Sequence, residues 1–178
     1  MPPRHAIFAI PVIAGMVSGV YLACVGVAVL VGLPWDVGLP WALRALGFVC
    51  LGYGAAMLVW VFRFRGPFAV LESTWVTFLK LFRRMPLDAS GGRAEPLVVA
   101  GPYRWVRHPL YSGVDGLTFG IALLVDHPWA FLGSVALGLW FLAVLAPFEE
   151  RELRALFGPA YADYARTTRR FLPLPPRR

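Results

Sequence analysis

Four long apolar segments dominate the sequence and restrict the folds that it can adopt. They cover residues 6–33, 41–62, 110–125 and 129–148. The first contains no charged side chain and exceeds the roughly 20 residues that a helix needs to cross a bilayer. Since lipid offers no partner for backbone N–H and C=O groups, each spanning segment should be helical. We therefore predict an all-α polytopic membrane helical bundle with about four transmembrane helices. The prediction treats residues 1–178 as one domain.

The composition supports a membrane location. Hydrophobic residues make up 58% of the chain and charged residues 15%, compared with roughly 25% charged residues in soluble domains. The formal net charge is +7, but the basic residues lie in loops between apolar segments rather than along one face. We therefore expect membrane lipids with anionic headgroups, and no nucleic acid, as partners of this charge. Cys24 and Cys50 lie inside apolar segments without a metal-ligand spacing, so no metal site is predicted.

The distribution of Lys and Arg residues predicts the orientation in the membrane. Of the 17 such residues, all but Arg44 lie on one side of the predicted bundle. The positive-inside rule places this side in the cytoplasm, together with both termini and the loop before the third segment. We thus predict an integral protein of the cell inner membrane with both termini cytoplasmic.

The polar region between the second and third segments contains a predicted amphipathic helix. Its apolar positions recur at helical spacing: Leu71, Trp75, Phe78, Leu79 and Phe82. Its polar positions fall largely elsewhere around the helix: Glu72, Thr77, Lys80, Arg83 and Arg84. Such a helix can lie in the membrane interface or pack on its own protein, and the sequence leaves both open. A loop around Ser90, Gly91 and Gly92 should follow.

Two further patterns concern helix packing and the end of the chain. Gly47, Gly52 and Gly54 give the second segment a small-residue surface, which predicts close packing against another helix. After the fourth segment the chain becomes strongly charged. This predicts a C-terminal amphipathic helix over residues 149–167, interrupted near Gly158 and followed by a basic tail.

Residues 101–113, GPYRWVRHPLYSG, form the most unusual stretch of the chain, and we call them the elbow. They combine arginine, histidine and tyrosine side chains with two prolines beside an apolar segment. Ionisable groups at membrane depth are costly and usually line a site. Because proline disfavours a helical conformation in the preceding residue, bends are expected at Gly101 and His108. The elbow should therefore be irregular and direct its side chains into a cavity.

The third and fourth segments should be antiparallel neighbours, because only a short turn joins them. The beginning of the third then lies beside the end of the fourth, which places His108 and Tyr111 near Glu149 and Glu150. Paired cationic and anionic groups suit a zwitterionic ligand. An alternative is that the two glutamates merely pair along their own helix with neighbouring arginines.

Asp115 lies one helical turn beyond Tyr111 and on the same face of the predicted helix. It is a candidate cavity residue, with a polar packing contact as the alternative.

Two motifs with a fixed separation carry a resemblance to a known family. The first is RHPLYSG at residues 107–113, within LVVAGPYRWVRHPLYSG. The second is EERELRALFGPAYADY at residues 149–164, about forty residues later. Together they resemble the RHPxYxG and EExxLxxxFGxxYxxY pattern of the isoprenylcysteine carboxyl methyltransferase and phospholipid methyltransferase superfamily. The resemblance covers the chain from residue 97 onward, whereas the N-terminal half is similar only in hydrophobicity.

The resemblance implies an integral membrane methyltransferase that depends on S-adenosyl-L-methionine. The cofactor-binding residues that it implies are Gly101, Tyr103, Arg107, His108, Tyr111, Gly113, Glu149, Glu150, Arg151, Tyr161 and Tyr164. His108 and Tyr111 would contact the amino-acid end of the cofactor, Glu149 or Glu150 its ammonium, and the last two tyrosines its adenosine. Residues 1–96 would shape a cavity for a lipophilic small-molecule or lipid acceptor. If a base is needed, Asp115 is the catalytic candidate, with Glu72 as a second choice.

Two other functions compete with methyl transfer. NADPH-dependent reductases of the sterol type share the C-terminal architecture, although their chains are much longer. A non-catalytic lipid-binding membrane protein could use the same pocket. The sequence specifies neither the methyl acceptor nor the oligomeric state.

Overall fold

The computed structural model describes residues 7–82, 86 and 96–173. Its α-helices are α1 Ala9–Val31, α2 Trp41–Arg65, α3 Pro67–Leu81, α4 Pro109–Val125, α5 Pro128–Trp140, α6 Ala146–Phe157 and α7 Pro159–Thr167. A π-helical turn at Phe141–Leu145 joins α5 to α6. The predicted loop around Ser90, Gly91 and Gly92 lies outside the described residues. So do the first residues of the chain and the tail beyond residue 173.

The all-α membrane architecture predicted from the sequence is confirmed. Within the described residues, three helices are long and apolar enough to cross a membrane: α1, α2 and the continuous helix Pro128–Phe157. The third predicted span, residues 110–125, corresponds to α4, an apolar helix of 17 residues. At 1.5 Å per residue α4 rises roughly 25 Å, somewhat less than the hydrocarbon thickness of about 30 Å.

A glycine seam holds α2 against α4. A Cβ atom added at Gly54 would lie 2.6 Å from the backbone nitrogen of Leu117, and one at Gly120 would lie 2.8 Å from the carbonyl oxygen of Gly47. No larger side chain fits such distances, so the helices meet backbone to backbone. The packing prediction is therefore confirmed for Gly47 and Gly54. It is wrong for Gly52, whose Cβ position has no neighbour within 4 Å.

Helix α3 packs on its own protein, which decides between the two alternatives left open by its sequence. Val70, Val76 and Phe78 are buried, and so are two residues that had been assigned to the polar side, Thr77 and Lys80. The ammonium of Lys80 lies 2.7 Å from a carboxylate oxygen of Glu152 in α6, and both side chains are 0% exposed. Lys80 can be buried because the carboxylate of Glu152, 72 positions away in the sequence, pairs with its charge inside the protein.

A two-residue turn makes α4 and α5 an antiparallel hairpin. Asp126 takes up a left-handed conformation with φ of 60°. Its side chain accepts a hydrogen bond from the backbone N–H of Leu39 at 3.2 Å, which ties the α1–α2 connection to this turn. The hairpin brings the beginning of α4 beside α6, as the sequence predicts.

Candidate functional site

The elbow is irregular for the reasons that its prolines and glycine suggest. Gly101 opens a short 3₁₀ turn, Gly101–Arg104, with φ of 59°. A Cβ atom at this position would lie 2.7 Å from the ring of Phe64, so glycine is required both for its conformation and for space. His108 precedes Pro109, the first residue of α4, and is non-helical, with φ of −122° and ψ of 65°. Both predicted bends are confirmed.

The C-terminal segment, residues 168–173, closes over the elbow. The backbone N–H of Arg107 donates to the carbonyl of Arg169 at 2.7 Å, and that of His108 donates to the carbonyl of Arg170 at 3.0 Å. The Ser112 hydroxyl donates to the carbonyl of Phe171 at 2.7 Å. Its composition predicts only a basic tail, whereas in the structure its backbone carbonyls pair with the elbow.

Glu150 is the centre of a buried ion network. It is fully buried, and its oxygens accept hydrogen bonds from Arg107 at 2.8 Å and from both the Nε and an Nη of Arg170 at 2.8 Å. Arg107 also donates to the carbonyls of Ala165 and Thr168, at 2.6 and 2.5 Å. The charge of Glu150 is thus already matched by arginines of the protein. Its main role is to join the elbow, α6 and the C-terminal segment.

His108 lies between the two glutamates. Its Nδ1 is 3.2 Å from Glu149 and its Nε2 is 3.4 Å from Glu150, and its ring stacks on Tyr111 with centroids 5.6 Å apart. Burial of the imidazole opposes its charged form, but hydrogen bonds and the charges of Glu149 and Glu150 outweigh this. Together they raise the pKa of His108 above 6.5. The two glutamates thus shift the imidazole toward its charged form.

The two tyrosines of α7 play different parts. The Tyr164 hydroxyl donates to the carbonyl of Tyr103 at 2.6 Å and so fastens α7 to the elbow. Tyr161 is fully buried beneath the guanidinium of Arg154, which lies 5.8 Å from its ring centroid. Burial raises the pKa of both phenols well above the usual range, so both stay neutral.

Two small polar hollows lie beside these side chains. The first, about 70 Å³, is walled by apolar and aromatic residues that include Leu97, Leu153 and Phe157. The second, about 40 Å³, is bordered by the elbow and α3. Four residues line both hollows: Arg65, Tyr103, Arg107 and Glu149. Three more predicted residues line one of them: Tyr164 the first, and His108 and Tyr111 the second.

An apolar cavity of about 340 Å³ adjoins the second hollow. It lies among α1, α3, α4, α5 and the π-helical turn, and its wall includes Val17, Phe78 and Leu137. The residues common to this cavity and the second hollow are Thr74, Thr77, Leu110 and Tyr111. Tyr111 thus stands where a charged space meets an apolar one.

Several predicted site residues lie apart from these three spaces. Gly113 faces α2, where a Cβ atom would lie 2.8 Å from Leu58. Arg151 is exposed and donates to the carbonyl of Pro147 at 3.3 Å, one turn earlier. A direct cofactor contact by Gly101, Gly113, Glu150, Arg151 or Tyr161 remains a prediction from the motif, because none of them lines the hollows or the cavity.

Asp115, the catalytic candidate, faces α5 instead of the hollows or the cavity. One carboxylate oxygen lies 3.6 Å from the Cβ position of Gly138, and Asp115 lines none of the three spaces. The expectation that Asp115 lines the cavity is therefore corrected, because its side chain lies between α4 and α5. Val114, the preceding residue, does line the cavity, so the rotation of one residue about α4 turns the Asp115 side chain away from it.

Conversely, sequence reasoning missed three residues that line the site. Arg65 lines both hollows, and Thr74 and Thr77 line the second hollow and the cavity. The signal for the threonines was their spacing of three on a helix whose other residues are largely apolar.

The family assignment rests on a match through the helices just described. The sequence profile of the phospholipid methyltransferase family matches residues 42–160, about two thirds of the chain. The chain belongs to this family. The matched region contains the glycine seam, the elbow and the Glu149–Glu150 pair, and so includes most of the residues that line the hollows.

Curated relatives give the same picture at moderate identity. A methanethiol S-methyltransferase of Mycobacterium tuberculosis is 30% identical over 130 residues, which is 67% of this chain and 50% of the relative. A probable protein-S-isoprenylcysteine O-methyltransferase of Oryza sativa is 39% identical over 80 residues, 43% of this chain and 40% of the relative. Protein-S-isoprenylcysteine O-methyltransferase B of Arabidopsis thaliana is 33% identical over 69 residues, 39% of this chain and 35% of the relative.

This chain thus spans between about a third and a half of the length of the curated relatives that it matches. No solved structure matches it.

Proposed function

We propose that the protein transfers a methyl group from S-adenosyl-L-methionine to a lipophilic acceptor at the membrane–cytoplasm boundary. One observation carries this proposal: a charged hollow and an apolar cavity share a wall at Tyr111, Thr74 and Thr77. Such a junction lets a water-soluble donor and a lipid-soluble acceptor meet. The family membership supports methyl transfer as the reaction at that junction.

The residues around the hollows fit the cofactor chemically. Glu149, 22% exposed, would hold the ammonium of its amino-acid end, and Arg107 with His108 would hold the carboxylate. The apolar and aromatic wall of the first hollow, with Leu97, Phe157 and Tyr164, suits an adenosine. Neither hollow alone is large enough for a nucleoside, so we expect binding to join them by moving side chains that line both.

The chemical demand on the protein is modest. The cofactor supplies a sulfonium, whose methyl group is already activated. The chain must hold an acceptor nucleophile about 3 Å from that methyl carbon, in line, which can remove several kcal/mol of the barrier. The stacked rings of His108, Tyr111 and Phe141 give a rigid wall at the junction, with Tyr111 and Phe141 centroids 4.8 Å apart. The apolar cavity excludes water from the acceptor.

The wall of the apolar cavity also favours one class of acceptor. Among the residues that the structure describes, its polar side chains are the hydroxyls of Thr74, Thr77 and Tyr111 and the indole of Trp140, and none is a carboxylate or an imidazole. An acceptor that is already anionic, such as a carboxylate or thiolate, needs no base. This agrees with the names of the relatives, which specify O-methyl and S-methyl transfer.

In the orientation that we propose, the elbow and both termini face the cytoplasm, where the cofactor is present. Two measurements test the function. Calorimetry should detect binding of S-adenosyl-L-methionine, with NADPH as the control ligand. Radiolabelled methyl groups should then appear in the lipid or small-thiol fraction of the host. Binding of NADPH alone would favour a reductase, and cofactor binding without transfer would favour a non-catalytic lipid-binding protein.

A further inference from the structure

A second large opening lies on the other side of the Glu150 network from the hollows. It is a groove of about 660 Å³ between the exposed face of α7 and the C-terminal segment. Its rim carries five arginines, and we call it the arginine groove: Arg107, Arg154, Arg166, Arg169 and Arg170. It shares only Arg107 with the two hollows, so methyl transfer as proposed above leaves this groove unexplained.

The positive charge of the groove exceeds what its own acid can neutralise. Glu150 is the carboxylate on its wall, and Arg107 and Arg170 already hold both of its oxygens. Arg154 lies 3.5 Å from the same group with about half of its side chain exposed. Asp163 pairs with Arg166, but both side chains are mostly exposed, so this pair is weak.

Arg169 adds an unused donor. Its Nε is buried and has no hydrogen-bond partner among the described residues. A buried N–H without a partner is costly, so a ligand oxygen that accepts its hydrogen bond would be favoured. The backbone carbonyl of Arg169 is already used by the N–H of Arg107, which fixes the position of this residue in the groove.

The position of the groove identifies the ligand class. The groove lies at the same end of the bundle as the elbow, where headgroups are the concentrated anions. Leu172, on its wall, is 65% exposed, so an apolar side chain accompanies the arginines. Guanidinium groups match phosphate oxygens in pairs. We propose that the arginine groove binds the headgroup of an anionic phospholipid, and that Leu172 contacts its acyl region.

The bound lipid would also stabilise the neighbouring site. The carbonyls of Arg169 and Arg170 accept the elbow N–H groups of Arg107 and His108. A headgroup that binds these arginine side chains therefore stabilises the backbone hydrogen bonds between the C-terminal segment and the elbow. Thermal unfolding should occur at a higher temperature when anionic lipid is bound.

The test compares lipids and variants in the purified full chain. Native mass spectrometry counts bound phosphatidylglycerol and phosphatidylcholine on the wild type, on the double variant Arg166→Gln/Arg169→Gln and on Arg63→Gln. Arg63 is a matched control, because it is an exposed arginine near the cytoplasmic end of α2 and does not line the groove. Circular dichroism of each variant checks that it is folded.

We expect the wild type and Arg63→Gln to retain phosphatidylglycerol in preference to phosphatidylcholine. The double variant should retain it about 30-fold more weakly, which corresponds to about 1 kcal/mol for each arginine removed. Equal retention by the double variant and the wild type would overturn the proposal. Equal retention of the two lipids by the wild type would also overturn it. Displacement of phosphatidylglycerol by inorganic phosphate at equal concentration would overturn it as well, because it would show an anion site without a lipid ligand.

Discussion

The buried pair of Lys80 and Glu152 provides a quantitative test of how α3 is held. The two side chains are 0% exposed, and their charged atoms are 2.7 Å apart. Lys80→Met leaves the carboxylate of Glu152 buried without its cation, so we expect it to lower the free energy of unfolding by about 3–5 kcal/mol. Glu152→Leu should cost a similar amount. The double variant replaces both charges with apolar groups and should lie within about 1 kcal/mol of the wild type.

Equilibrium unfolding in mixed micelles gives the four free energies that this double-mutant cycle needs. Removal of an exposed arginine outside the arginine groove, Arg63→Met, is the control for losing a cation at the surface and should change stability by no more than about 1 kcal/mol. Because α3 carries Thr74 and Thr77, loosening it in Lys80→Met should also lower methyl transfer. If the free-energy changes of the two single variants simply add up in the double variant, the view that the pair acts as one buried unit is refuted.

Three further predictions concern the elbow and the apolar cavity. Gly101→Ala should destabilise the protein by about 1–2 kcal/mol in a melting assay, because φ of 59° disfavours any residue with a Cβ atom and Phe64 occupies the position of that atom. Gly52→Ala is the control and should leave the stability unchanged. The raised pKa of His108 predicts that charged His108 stabilises the fold fully below pH 6.5, and that this stabilisation is lost as the pH rises through the folded-state pKa. The difference in Tm between the wild type and His108→Gln should therefore shrink as the pH rises. A constant difference would contradict this. Val114→Phe should fill part of the cavity and slow transfer to bulky acceptors while calorimetry shows unchanged cofactor binding; weaker cofactor binding would place the acceptor elsewhere.

The sequence predicts those parts of this molecule that depend on local patterns. Apolar length alone located α1, α2 and α5, and the two prolines located the bends of the elbow. The proximity of His108 and Glu149 followed from a short turn between antiparallel helices, and the two side chains are 3.2 Å apart. In each case the signal lies within a few residues or follows from one simple connection.

Other features depended on partners far away in the sequence. The burial of Lys80 depends on Glu152, and the closure of the elbow depends on backbone hydrogen bonds to Arg169 and Arg170. Backbone pairing of an irregular segment leaves no periodic pattern to read. Asp115 shows a related limit: helical spacing put it on the face of Tyr111, but it did not show where the cavity ends.

The most direct test of the proposed site is the affinity of Glu149→Gln for S-adenosyl-L-methionine. This change keeps the size of the side chain that lines both hollows and removes its charge. Calorimetry should show that the variant binds the cofactor about 10- to 100-fold more weakly than the wild type, as expected for the loss of one charge-assisted hydrogen bond of roughly 1.5–3 kcal/mol. Matched melting temperatures would show that both proteins are folded. Equal binding by the two proteins would contradict the assignment of the hollows as the cofactor site.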